Sequence, residues 1–207
     1  VGNTRISVTR CSFLNNTARF QGGALYLDGT DGVFEDSVFM ANQGSDGGAL
    51  MHEDRSAVKL IGCRFFGNTS NGNAINPIRG LGGAILDTLD TDLTVINCIF
   101  SGNRAWRGGA VCSLLRANPL IVNSSFAENV ASESGGGMYV YWETTATISN
   151  SIFWSNRDSL GSQGQSEIRN DESRGANSVA VTFSLVEGGW PNGIGNVDQD
   201  PAFVSMK

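Results

Sequence analysis

The sequence predicts an all-β chain wound into a parallel β-helix, a solenoid of about seven coils with roughly 26 residues per coil. Two observations carry this reading and a third excludes its rivals. First, a unit recurs along the chain: Phe, two residues, Asn, a short polar link, a glycine pair, a small residue and an aliphatic one. Phe fills its slot at Phe13, Phe39, Phe65, Phe100, Phe126 and Phe153, with Asn three later at Asn16, Asn42, Asn68, Asn103, Asn129 and Asn156. Glycine pairs begin at Gly22, Gly47, Gly82, Gly108 and Gly135. Second, successive Phe lie 26, 26, 35, 26 and 27 residues apart, so one period dominates. Third, 27 Gly and runs such as Leu93-Thr94-Val95-Ile96 lack the helix formers and three-to-four spacing of a helical repeat. A four-stranded propeller blade needs about 40 residues or more. The shorter period supplies three short strands and three corners, one β-helix coil.

Taken in order, residues 1–10 read as the last strand of an incomplete first coil, with Ile6 and Val8 alternating towards Cys11. Three residues before each Cys or Ser slot stands an apolar residue: Val8, Phe34, Leu60, Val95, Ile121 and Ile148. On strands these form one inward column. Immediately before that slot come Arg10, Asp36, Gly62, Asn97, Asn123 and Asn150. Asn and Gly tolerate left-handed backbone, so a sharp corner falls there. The Asn following each Phe reads as a ladder satisfying corner backbone groups rather than as a ligand set. The glycine pairs mark positive φ or close approach between coils. Beyond them, two consecutive apolar positions appear in each coil. If the aliphatic one points inward, Tyr26, Met51, Leu86, Cys112 and Tyr139 form an outward apolar stripe that invites a partner. The one long interval places an insertion loop at 69–81. The polar stretch 158–177 reads as irregular, after which Val181 and Val186 resume the apolar and Phe columns in a degenerate last coil. Residues 187–207 read as a cap, with Trp190 and Phe203 over the open end of the core. The whole chain, 1–207, reads as one β-helix domain.

A formal net charge of −6 argues against nucleic acid and anionic membrane as partners. No apolar run approaches the roughly 18 residues of a membrane span, so membrane insertion is not expected. The chain opens at Val1 rather than Met, which suggests a processed protein or an excised domain. Four cysteines are too few for a disulfide scaffold. Cys11, Cys63 and Cys98 occupy the slot that Ser37, Ser124 and Ser151 fill elsewhere, as small inward space-fillers. Free buried thiols are the first reading. A Cys63–Cys98 disulfide is the second, since adjacent coils lie about 4.8 Å apart. A metal site ranks last, for want of a CxxC pair or a histidine partner.

Acidic residues gather at one corner: Asp28 and Asp31, Glu53 and Asp54, then Asp87, Asp90 and Asp92. A solubilising, edge-blunting face is the first reading and a weak Ca²⁺ site the second. Asn196, Asp198 and Asp200 alternate in a turn and are weak Ca²⁺ candidates beside the plainer turn; no other cofactor is expected. A glycosidase would want two carboxylates about 5 to 10 Å apart on one face. Carboxylates occur here in corner loops with no positioned base, so no catalytic residue is assigned. The lone histidine, His52, aligns with Leu27, Asp87, Ser113 and Val140, a variable slot, and reads as a surface residue. Trp106, flanked by Arg104 and Arg107, and the cluster Tyr139, Tyr141 and Trp142 are the binding-surface candidates for a glycan or cell surface. A solvated corner is the plainer alternative for the Trp-Arg patch.

Phe-x-x-Asn combined with Gly-Gly-Ala-Leu or Gly-Gly-Ala-Ile (Gly22 to Leu25, Gly82 to Ile85) is similar to repeats in chlamydial polymorphic outer-membrane protein passengers. Over roughly residues 5 to 204 the chain resembles right-handed parallel β-helix proteins of the pectate-lyase-like class. Phe183 to Trp190, with Gly195 to Pro201, looks like the end of β-helix domains in large bacterial surface and secreted proteins. The resemblance implies a right-handed coil and an extracellular or cell-surface location. Some members of that class are polysaccharide lyases or hydrolases, and many are adhesins or surface-layer components. The expectation is therefore a non-enzymatic extracellular structural or adhesive module, self-associating into filaments or a layer. The alternative is a polysaccharide-binding or polysaccharide-cleaving enzyme.

Overall fold

The computed structural model describes residues 4–72, 80–159, 161 and 164–203. They wind as a parallel β-solenoid of about 6 turns, ~26 residues apart, with a single short 3-10 turn at Gly164–Ser166 and no α-helix among them. Sheet 1 stacks seven strands, from Thr4–Thr9 through Ala57–Ile61 to Ser178–Thr182. Sheet 2 stacks seven more, from Ser12–Leu14 through Ile99–Ser101 to Leu185–Val186. Sheet 4 has six, from Leu25–Asp28 to Ile168–Asp171. Between them lies sheet 3, with four short strands: Gln43–Gly44, Thr69–Ser70, Arg104–Arg107 and Val130–Ser134. A coil thus has four sides, not the three expected, because the polar link between Asn and the glycine pair is itself extended and pairs with its neighbours.

Single left-handed residues make the corners. Arg10, Asp36, Gly62, Asn97, Asn123 and Asn150 all have φ between 48° and 62°, where sheet 1 turns into sheet 2. Asn15, Ala41, Gly67, Gly102, Glu128 and Ser155 do the same before each ladder Asn. Two consecutive left-handed residues, such as Asp54-Arg55, Leu89-Asp90 and Trp142-Glu143, turn sheet 4 into sheet 1, the pattern of a tight two-residue turn. In the glycine pairs the labour is divided. Gly47, Gly82, Gly108 and Gly135 supply positive φ. At Gly48, Gly83 and Gly109 a Cβ would meet the carbonyl oxygen of the matching glycine one coil on at 2.0 to 2.2 Å.

Inside, side chains stack like on like. The six Phe rings lie nearly parallel with centroids 4.3 to 4.7 Å apart, matching the strand spacing of roughly 4.8 Å. Val186 takes the next slot, opposite Phe153. The apolar column runs in unbroken register through Phe34, Leu60, Val95, Ile121 and Ile148 to Val181. The Ser/Cys column does more than fill space: Ser37, Ser124, Ser151 and Ser184 each accept a bond from the backbone N–H one coil back. Cys63 and Cys98 are free thiols, fully buried in that column. From Asn42 to Asn156 each ladder Asn is saturated. Asn68 donates to the Phe39 carbonyl and to Asn103 Oδ1, and its own Oδ1 accepts from Asn42 N and Nδ2. The ladder ends on Glu167, which accepts from Asn156 N and Nδ2 where the next Asn would stand.

Within 158–177, read as irregular, the structure places Ile168–Asp171, the last strand of sheet 4. Its polar side chains hid it. The centre of the 69–81 insertion, residues 73–79, lies outside the described residues.

Candidate binding surface

The aliphatic column of sheet 4 points inward: Leu50, Ile85, Val111 and Met138 are fully buried. Met51, Leu86, Cys112 and Tyr139 therefore face outward, as the alternation requires, yet they are not the open stripe expected. They form a second small core with Leu81, Leu114 and Tyr141 packed against it, and Tyr26 alone stays exposed, at 37%. Leu81 and Arg107, each immediately before a glycine pair, lie against this outer face where sheet 3 turns into sheet 4.

Around that cover the candidate residues meet. Strand Val130–Ser134 carries a bulge against Arg104–Arg107: Ser132 and Glu133 stand opposite the single residue Trp106, so the register slips between Ala105 and Arg107. A bulge locally disrupts the ladder and increases twist, and opposite it Arg107 reaches the Tyr139 ring of sheet 4. The Arg107 guanidinium carbon sits 4.3 Å from the Trp106 ring centroid and 5.0 Å from that of Tyr139. Tyr139 and Tyr141 follow with centroids 5.9 Å apart, then Tyr141 and Trp142 at 6.0 Å. Arg174 closes the series 5.7 Å from the Trp142 ring. All four predicted residues thus belong to one ribbon of alternating aromatic and cationic groups. Tyr139 is its buried strut, 1% exposed, whereas Trp106, Tyr141 and Trp142 are half-buried. The two arginines between and beyond the aromatics lock their rings by cation–π contact. Arg174 lies 32 residues from Trp142 in sequence, and no sequence signal pointed to it.

Charges fix the ribbon. Arg107 pairs with Glu133 and the Tyr139 hydroxyl donates to Asp171 Oδ2 at 2.5 Å. Burial, then that bond, pushes the Tyr139 phenol well above its usual range, so it remains a donor. Burial alone would raise the Asp171 carboxyl, but Tyr139, Ser173 and Arg107 together hold it below its ordinary value. Beside Trp106 a shallow hollow of about 350 Å³ is lined by Thr69, Asn71, Arg104 and Ser132. Half-exposed aromatic faces, guanidinium groups and hydroxyls suit stacking and hydrogen bonding.

His52 is not on the surface. It is 0% exposed, with Nδ1 3.0 Å from Ser56 Oγ and Nε2 3.1 Å from Asp87 Oδ1. Asp87 also accepts from the Thr91 and Ser113 hydroxyls. Leu27 and Val140 in the same column were the missed signal, because an inward slot can hold polar residues that pair with one another. A Ser–His–Asp set sealed at this depth touches no substrate. Four of the other acidic corner residues bond from coil to coil: Asp90 takes both Arg116 Nε and Nη2, Asp92 takes Asn118, Asp31 takes the Ala57 N–H, and Glu53 takes the Tyr26 hydroxyl. In the final turn Asn196, Asp198 and Asp200 accept from the backbone of Ser184, Gly188 and Ala202. No three His, Cys, Asp or Glu cluster around a cation position among the described residues.

Stacked parallel coils with left-handed corners, an Asn ladder and a Phe stack define a β-helix whose outer face carries this ribbon. The chain belongs to the family described as right handed beta helix region, which matches residues 1–201. Metabotropic glutamate receptor-like protein Q of Dictyostelium discoideum is 27% identical over 156 residues, spanning 72% of this chain and 12% of that protein. No solved structure matches.

Proposed function

We propose that this β-helix is a non-enzymatic, extracellular adhesive module whose ribbon from Trp106 to Arg174 binds glycans on a surface. The observation carrying this reading is the convergence of Trp106, Arg107, Tyr139, Tyr141, Trp142 and Arg174 from separate coils into one continuous aromatic–cationic series. Sugar rings present apolar C–H faces that stack on aromatics and hydroxyls that bond to guanidinium groups and carboxylates. The rings here are held in place before a ligand arrives, which lowers the ordering cost of binding. A receptor-like protein carrying a similar stretch favours a ligand-facing rather than a catalytic role. The runner-up, a polysaccharide-cleaving enzyme, draws no support from the His52 cluster, which lies out of reach of solvent.

Self-association into filaments or a layer is a second proposal, for which the parallel stacking of one coil face on the next along the described chain is the physical basis. A glycan array probed with the intact protein and with Trp106→Ala and Trp142→Ala tests the main reading. We expect a restricted set of positive glycans, with binding at least about tenfold weaker in each variant, the loss of roughly one stacking contact. Equal binding by wild type and both variants would overturn it.

A further inference from the structure

At the far end of the solenoid the cap covers sheets 1 and 2 but leaves the last strand of sheet 4 open. Phe183 N–H bonds to Ile194 O and Leu185 bridges Val197, so the closing segment takes the place of a next coil there. No described strand pairs with the outer edge of Ile168–Asp171. Between that edge and the Gly188–Asn192 loop lies a cavity of about 540 Å³, inside the roughly 300 to 1,000 Å³ range of small-molecule sites. Ile168, at 0% exposure, is its apolar lining. Trp190 is a wall, packed against the core and so held rigid. Asn170, Glu172, Gln165 and Asn192 supply the polar lining.

Two polar atoms in that lining lack partners. Asn170 Oδ1 and Trp190 Nε1 are both shielded from solvent and bonded to nothing. Asn170 cannot swing freely to relieve this, because its Nδ2 donates to Glu172 Oε1 at 3.0 Å. An orphaned buried acceptor and an orphaned buried donor each cost about 1 to 3 kcal/mol, and both border one cavity. Among the described residues no Lys or Arg lines it, so an anion finds no counter-charge there. One carboxylate, amides and an indole wall suit an uncharged ligand bearing several hydroxyls, each of which both donates and accepts.

We propose that this cavity is a second binding site, distinct from the ribbon, for a neutral pyranose unit stacked on Trp190 and bonded to Asn170 and Glu172. The test is thermal melting and tryptophan fluorescence of the intact protein titrated with glucose, galactose, mannose, N-acetylglucosamine and their β-linked disaccharides. At least one raises the melting temperature and saturates. Asn170→Val is the decisive variant. Val140 already occupies that column one coil earlier, so the substitution removes the orphan and leaves the free protein as stable or more so. It weakens saccharide binding at least about tenfold, the worth of one buried hydrogen bond. Glu172→Gln, at an exposed position, weakens it less. Repeating the Asn170→Val comparison in a Trp142→Ala background removes any contribution of the ribbon, and the Asn170-dependent response persists there, so failure of either site is seen separately. Three results would overturn the proposal: no saccharide response, an Asn170→Val protein binding as tightly as wild type, or saturation by an extended peptide alone.

Discussion

Glu167 shows how one side chain closes a repeating structure. It stands where the Asn ladder needs another amide oxygen, and burial with the nearby Glu187 raises its carboxyl from 4.5 to about 9. In the unfolded chain it ionises near 4.5; folded, it keeps its proton to about 9. The folded state thus binds the extra proton throughout that window, and stability falls as pH rises from about 5 to about 9. Melting temperatures across this range should decline for wild type and flatten for Glu167→Gln, whose amide copies the neutral acid. An equal slope in both would remove Glu167 from the account. The His52–Asp87 pair makes the complementary case. His52→Leu leaves the Ser56 hydroxyl and one side of the buried Asp87 carboxyl without their neighbour and should cost about 1 to 3 kcal/mol in a denaturant melt, whereas His52→Leu combined with Asp87→Leu should recover part of that loss. A double variant no more stable than the single would contradict it. None of this pairing was legible in the sequence, because His52 and Asp87 are 35 positions apart and only the coil register sets them side by side.

At the level of elements, the columns were legible and their surroundings were not. Identical residues at a fixed period identify a stack without any geometry, so the Phe, Asn and apolar columns could be read directly. The fourth side of each coil escaped because its strands are as short as Gln43–Gly44 and rich in polar residues. The buried stripe escaped because what covers it comes from residues preceding the glycine pairs, out of phase with the strands. The columns also say where damage is worst. Phe100→Asp would place an uncompensated charge between Phe65 and Phe126 and should unfold the middle coils. Asn103→Leu strips bonds from the Phe65 carbonyl and from Asn68 N and Nδ2, at about 1 to 3 kcal/mol for each group left unpaired. Circular-dichroism melts that match wild type for both would show that inside and outside are reversed.

As a whole molecule, the solenoid is a scaffold on which distant residues become neighbours at the coil spacing. Trp106 and Trp142 come from different coils, and the ribbon exists because Arg107 and Tyr139 join them. The sequence named four members of that ribbon by residue type. It could not show that they touch, which depends on the coil register and on Arg107 bridging Trp106 and Tyr139 beside the bulge between Ala131 and Ser134. Electron microscopy over a concentration series bears on the self-association reading: rods lengthening with concentration would support end stacking, and uniform short rods would count against it. The central claim, that the outer face of sheet 4 recognises glycans, is tested most directly by hydrogen–deuterium exchange of the protein with and without its strongest array ligand. We expect slowed exchange confined to 104–107, 139–143 and 171–175, with the outer faces of sheets 1 and 2 unchanged. Protection on sheets 1 and 2 with none along the ribbon would contradict the account.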